Sequence, residues 1–254
     1  MTPTPSATTR LTLGLLMGLL LSPLPAMSRH QAPVFSLQQP RPMPEHSANQ
    51  QLVLVPGGPV QELAPISLPA PEIQGGKPLM EALRDRRSTR SFLPDDLPLQ
   101  TLSNLLWAGF GVNRPESGYR TAPSAVNWQE VEIYLTTREG AYRYDARANR
   151  LDPVRAGDFR AFTGTSAWVA SAPLNLVYVA DLSKITRDSE EEKNFYSAID
   201  TGFIAQNVYL FCASEGLATV VRAQVNREAL AEALGLRPDQ KIIVAQTVGY
   251  PGSP

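Results

Sequence analysis

The segment from Glu191 to Glu215 constrains this 254-residue chain more than any other. Ala198, Ile199, Phe203, Ile204, Val208, Leu210 and Phe211 recur at helical spacing, yet they surround most of the cylinder instead of forming one stripe. A helix of that kind has to be covered on several sides, as at the centre of a homodimer, and Gly216 is placed to end it in the left-handed conformation. Pro78 opens a shorter helix through Leu79, Met80, Ala82 and Leu83 to about Arg86, and Pro98 opens another with Leu99, Leu102, Leu105, Leu106 and Phe110 on one face, ending near Gly109 or Gly111. Val131, Ile133 and Leu135 alternate with polar neighbours as a half-buried strand does; Ala141 to Tyr144 follows, and the polar residues 145–149 turn the chain toward Leu151, which predicts a hairpin or meander. Leu174 to Ala180 is a continuous apolar run suited to a central strand covered on both faces. Strands at Leu217 to Val221 and Ile242 to Val248 flank a short helix capped by Asn226 and ended by Gly235. Interleaved helices and strands with a local hairpin predict an α+β domain whose mixed, mostly antiparallel central sheet is flanked by helices.

The N-terminus reads differently. Residues 1–28 hold a weakly cationic start ending at Arg10, an apolar run from Leu11 to Leu21, and an exit of small residues and prolines through Pro23, Pro25, Ala26 and Ser28. This is the layout of a secretory signal, with an apolar core shorter than the roughly 20 residues of a membrane span. The expectation is an exported protein, periplasmic or secreted, cleaved after Ala26 or Ser28 and not stably inserted in a membrane. Residues 29–75 are rich in proline and glutamine and read as an extended arm, with Leu52 to Val55 a possible short strand and Ile66 to Pro71 lying along the surface of a domain that spans 76–254.

Composition removes whole classes of chemistry. The chain has one cysteine, Cys212, and two histidines, His30 and His46, both ahead of the predicted domain. A thiolate or imidazole metal centre needs three or four such ligands, and a Ser-His-Asp triad needs a histidine inside the fold. A net charge of -1 gives no overall basic field for nucleic acid. Catalysis is left to carboxylates, arginines, backbone groups or a bound cofactor. Cys212 sits in an apolar helical stretch and reads as a small core residue.

Two clusters stand out. Arg84, Arg86, Arg87 and Arg90 share nine residues with Ser88, Thr89 and Ser91, where a helix gives way to an extended segment. Side chains at 86, 88 and 90 fall on one face of such a run and suit phosphate oxygens, although a solvated basic helix end would have the same composition. The second runs from Arg120 to Asn127. Its small residues let backbone amides approach a flat ring, Asn127 offers both a donor and an acceptor, and an ordinary surface turn is the alternative.

The order of these segments carries a resemblance: Gly75 to Leu83 leading into Arg86 to Phe92, Leu105 to Ala108, Arg120 to Asn127, Glu132 to Leu135, Ala141 to Asp145, Asp200 to Leu210, Glu215 to Arg222, and Gln246 to Pro251. Over residues 75–251 the chain resembles the FMN-dependent nitroreductase family, particularly its exported members and the branch similar to the peptide-azoline dehydrogenases. The resemblance implies FMN at a homodimer interface. It assigns Arg86, Ser88 and Arg90 to the phosphate, ribityl chain and pyrimidine edge, and Arg87 to a mainly backbone contact. It assigns Pro123, Ser124 and Asn127 to a loop reaching the flavin from the other subunit, and the strand end Val220, Val221 and Arg222 to a backbone amide facing flavin N5, with no catalytic side chain and no metal. The implied activity is ping-pong transfer from NADH or NADPH, or another donor, to a small nitro or quinone acceptor. Alternatives are a flavin-binding protein without turnover, serving storage or sensing, and oxidation of a peptide or heterocycle. Relatives commonly continue past the last strand with basic residues that complete the phosphate site; with Pro254 as the last residue, phosphate binding is expected to lean on Arg86 and Arg90. Relatives also often carry a small residue at position 222, where an arginine would stabilise reduced flavin, bind an acidic substrate, or form a surface salt bridge with Glu228 or Asp239.

Overall fold

A computed structural model describes residues 63–253 of the chain. The expected secretory signal, most of the expected arm and the strand expected at Leu52 to Val55 lie outside the described residues. The elements in chain order are β1 (Ile66–Ser67), α1 (Leu79–Asp85), α2 (Leu99–Phe110), β2 (Val112–Arg114), β3 (Tyr119–Arg120), β4 (Val131–Thr136), β5 (Gly140–Asp145), β6 (Arg150–Ala156), α3 (Ala167–Ser171), β7 (Leu174–Asp181), α4 (Glu190–Glu215), β8 (Ala218–Arg222), α5 (Arg227–Leu234) and β9 (Gln240–Gly249).

Seven strands form one sheet in the order β1-β6-β5-β4-β7-β9-β8, and each neighbouring pair is antiparallel. The α+β expectation is met. β7 is an interior strand between β4 and β9 with all of its residues buried, as its unbroken apolar run requires. Leu174, Leu176 and Tyr178 on one face join Leu105, Leu106, Ile133, Ile204 and Val208, so that α2 and α4 cover that side. Val177 and Val179 on the other face meet Leu230, Leu234 and Ile242 beneath α5. Cys212 is fully buried in the first of these clusters, where burial pushes its thiol up.

Local chemistry sets the ends of α4. The Ser189 hydroxyl accepts from Glu192 N–H, three glutamates occupy the positive N-terminal turn, and Gly216 closes the helix at φ 71°. The arm joins the sheet before the expected boundary at Gly76. Ile66 and Ser67 pair with Leu151 and Arg150, Leu68 is buried, and Ser103 Oγ donates to Pro69 O at 2.6 Å.

Candidate functional site

The extended segment after α1 runs alongside the sheet edge. Thr89 N–H donates to Thr219 O of β8 at 3.0 Å, and Phe92 bridges Pro251. This places the arginine cluster against the C-terminal half of α4. The Arg86 guanidinium sits 5.3 Å from the centre of the Tyr209 ring, and Ser88 Oγ is 2.8 Å from the Tyr209 hydroxyl. That same hydroxyl accepts from Val221 N–H at 3.0 Å. One phenol therefore gathers three of the residues singled out from sequence.

The register of β8 explains which amide is available. Thr219 O and Val221 N–H both turn away from β9, so alternation directs the amides of Val220 and Arg222 into the sheet. Of the expected trio only the Val221 amide faces outward, and the Tyr209 hydroxyl holds it.

Among the described residues, Arg86, Arg87 and Arg90 make no ion pair; Asp85, the nearby carboxylate, is held well below its ordinary value, at about 2, by hydrogen bonds from Arg84 and Lys77. Arg86 and Ser88 share one face of the extended run and meet the Val221 amide at Tyr209, which gives a donor-rich edge. Arg87 alternates to the other face, where it lines a cavity of about 320 Å³ with Lys77, Asp85, Thr89, Tyr209 and Thr219. This donor set fits a group that combines a phosphate with a ring bearing hydrogen-bond acceptors.

The second cluster is placed elsewhere. Ser124 Oγ accepts from Gln129 N–H at 3.0 Å, Asn127 Oδ1 accepts from Gln129 Nε2 at 3.0 Å, and Asp200 Oδ2 accepts from Ala125 N–H at 2.8 Å. Pro123, Val126 and Asn127 are exposed, and Val126, Asn127 and Gln129 adopt left-handed backbone. The loop packs on α4 near Asp200, nine residues before Tyr209, which is about 13 Å along the helix axis. Pro123, Ser124 and Asn127 therefore do not meet the arginine cluster within one chain.

Arg222 corrects an expectation. It pairs with neither Glu228 nor Asp239. Its Nη2 donates to Asn175 Oδ1 and Thr247 Oγ1, both at 2.8 Å, Nη1 donates to Thr163 O, and the guanidinium lies 5.6 Å from the Trp168 ring centre. Alternation along β8 turns this side chain to the sheet face opposite α4, where burial pulls it down to about 10 and leaves it charged at neutral pH.

Three residues of this region were not singled out from sequence: Tyr209, Glu130 and Asp200. Glu130 is fully buried, and neither carboxyl oxygen has a partner in the hydrogen-bond network of the described residues. Its carboxyl lies in contact with that of buried Asp200, and burial chiefly, with the Asp200 charge behind it, raises Glu130 to about 7. A buried glutamate one residue ahead of a strand carries no periodic signal.

The nitroreductase family model matches residues 83–250. A crystal structure of a protein from Ralstonia eutropha JMP134 assigned as a nitroreductase is 40% identical, with a TM-score of 0.71 over 78% of this chain and 99% of that one. A Methanocaldococcus jannaschii protein with the same assignment is 33% identical over 160 residues, 59% of this chain and 80% of the relative. The fold is shared with a Desulfovibrio desulfuricans protein of that assignment, crystallised in complex with FMN, at 20% identity and a TM-score of 0.51 over 70% of this chain and 89% of that one.

Proposed function

The chain belongs to the nitroreductase family, a family of oxidoreductases, and on that premise we propose that it is an FMN-dependent oxidoreductase acting as an exported homodimer. The observation that carries the reading is the convergence of Arg86, Ser88 and the outward Val221 amide on Tyr209. Arg86 and Arg90 would neutralise the phosphate with forked hydrogen bonds, and Ser88 would hold the ribityl chain. The Val221 amide would donate to the ring at N5 once Tyr209 releases it. The loop carrying Pro123, Ser124 and Asn127 would close the site from the partner subunit, which agrees with its separation from the arginines within one chain. When bound, FMN supplies a centre that takes up and returns a hydride, chemistry that no side chain here can perform. The residues of the chain supply position, positive potential and exclusion of water. A reduced nicotinamide and a small organic nitro or quinone compound would take turns at one site, giving ping-pong kinetics.

The experiment is an absorbance spectrum of the purified protein with added FMN, recorded before and after NADH, NADPH and dithionite. A bound flavin spectrum bleached by a nicotinamide is expected. Arg86→Ala should weaken FMN binding by about 10- to 100-fold, the loss of one charge-assisted contact, with an unchanged far-ultraviolet circular dichroism spectrum. A colourless protein that ignores FMN after reconstitution would overturn the reading, and full flavin content in Arg86→Ala would remove that residue from the site.

A further inference from the structure

Glu130 and Asp200 are two carboxyl groups in contact and almost fully out of water, with exposures of 0% and 2%. Two such groups do not both ionise, because like charges in a poorly solvated site repel strongly. Asp200 already accepts the Ala125 N–H, which favours its charged form, so the remaining proton belongs on Glu130, whose hydroxyl then donates to Asp200. The orphaned oxygens of Glu130 are explained in this way, because a carboxylic acid is a donor where a carboxylate is not. The chain of bonds runs from Glu130 through Asp200 to Ala125, inside the loop whose Val126, Asn127 and Gln129 hold left-handed backbone. Strained backbone of that kind persists only where the surroundings hold it; Arg120 Nε donates to Gln129 Oε1 and Thr186 Oγ1 accepts from Trp128 Nε1 at one end of the loop, and the Asp200 carboxylate holds Ala125 at the other.

We propose that Glu130 and Asp200 share one proton and act as a latch that positions the 123–129 loop for ligand binding. The proposal rests on the FMN reading only for what the loop serves; the latch itself is a property of the polypeptide. Both residues are positioning residues.

The latch has a direction. Because the fold holds this proton more tightly than the unfolded chain does, its contribution is complete below the ordinary carboxyl value and is lost as pH rises through about 7. Among the described residues, the charged and titratable neighbours are few. From α4 comes Asp200; from the end of β7 comes Asp181, whose N–H donates to Glu130 O at 2.9 Å and whose carboxylate pairs with Arg237; from the turn after β7 comes Lys184, paired with Glu132 at 3.3 Å and favouring ionisation of Glu130; Arg187 and Tyr196 pack on the Trp128 ring beside them. Loss of the shared proton puts two negative charges in contact, and the loop is the part free to yield.

The test compares the full-length protein with its Glu130→Gln and Asp200→Ala variants between about pH 6 and about pH 8.5. In flavin-free protein, the protection factor of the Ala125 amide is read by hydrogen exchange, corrected for the intrinsic pH dependence. FMN affinity is read by fluorescence quenching. In the wild type both should fall about tenfold across that range. Glu130→Gln keeps a donor and deletes the ionisation, so both should stay at the acid-side value throughout. Asp200→Ala should show an unprotected Ala125 amide at every pH. A wild-type slope retained in Glu130→Gln, or an Ala125 amide still protected in Asp200→Ala, overturns the latch. Flat FMN affinity alongside a pH-dependent loop overturns its role in binding. If FMN fails to bind at any pH while the loop responds as expected, the flavin reading falls and the latch stands.

Discussion

Arg222 carries a positive charge into a place where, among the described residues, no carboxylate pairs with it. Its bonds go to a backbone carbonyl, an amide oxygen and a hydroxyl, and Thr247 Oγ1 in turn donates to Asn175 Oδ1 at 2.6 Å. Two effects oppose each other when the guanidinium is removed: the cost of dehydrating it disappears, and the buried Thr163 carbonyl loses its donor. An unmade bond to a buried group costs about 1–3 kcal/mol, and half-burial keeps the dehydration term smaller. Arg222→Met should therefore destabilise the protein by about 1–3 kcal/mol in urea unfolding, and Arg222→Lys by about 1 kcal/mol, because one ammonium cannot serve three acceptors at once. A more stable Arg222→Met would mean that dehydration dominates. The same residue marks where reading the sequence stops. Arg86, Ser88 and Val221 were legible because a cluster of like residues and a strand end leave local signals. Tyr209, which joins them, looks like any aromatic residue on a buried helix, because its partners lie 121 and 12 positions away in the chain. The choice of Val221 over its two neighbours needed the register of β8.

At the scale of elements, the patterns longest in sequence were the most legible. α4 and β7 match their expected spans to within a residue, since each is specified by many apolar positions at once. β1 was hidden by Pro65 and Pro69 and by having only two paired residues, and β2 and β3 are too short for any alternation to appear. β6 runs to Ala156 through Pro153, further than a proline suggests. The sheet tolerates it because β1 pairs only with Arg150 and Leu151, and the ladder to β5 shifts register beside Tyr142, its partner. Two glycines ending helices separate conformation from space. Gly216 has φ 71° and open surroundings, so Gly216→Ala should cost about 1 kcal/mol through backbone strain alone. Gly111 ends α2 in extended backbone, but a Cβ there would lie 2.6 Å from Trp107 Cα. Gly111→Ala should cost more, about 2–3 kcal/mol, since backbone must shift to admit it. Thermal melts of the two variants would rank them, and equal shifts would refute the distinction.

At the scale of the molecule, α4 presents a face that the described residues do not cover. Phe195, Ile199 and Phe203 recur every four residues with exposures of 59%, 38% and 45%, and Gly202 beside them has nothing within 4 Å of where a Cβ would be. Apolar side chains in a row around a glycine suit close approach of a second helix, and burying each large one contributes about 1.5–3 kcal/mol. The opposite side of α4 is already spent on Ile204, Val208 and Cys212, so the helix can serve the core and a partner together. A two-fold pairing through this face would also carry each 123–129 loop toward the other chain, which is what the proposed site requires. The expected outcome is a wild-type protein that sediments at twice the chain mass, and a Phe203→Asp variant that sediments as a single chain, because a carboxylate in the contact would have to be dehydrated without a partner. FMN affinity should fall in the same variant, although Phe203 lies on the far side of α4 from the sheet core and touches no residue of the arginine cluster. A wild-type monomer, or a Phe203→Asp dimer with unchanged flavin affinity, would break the link between the exposed helix face and the site.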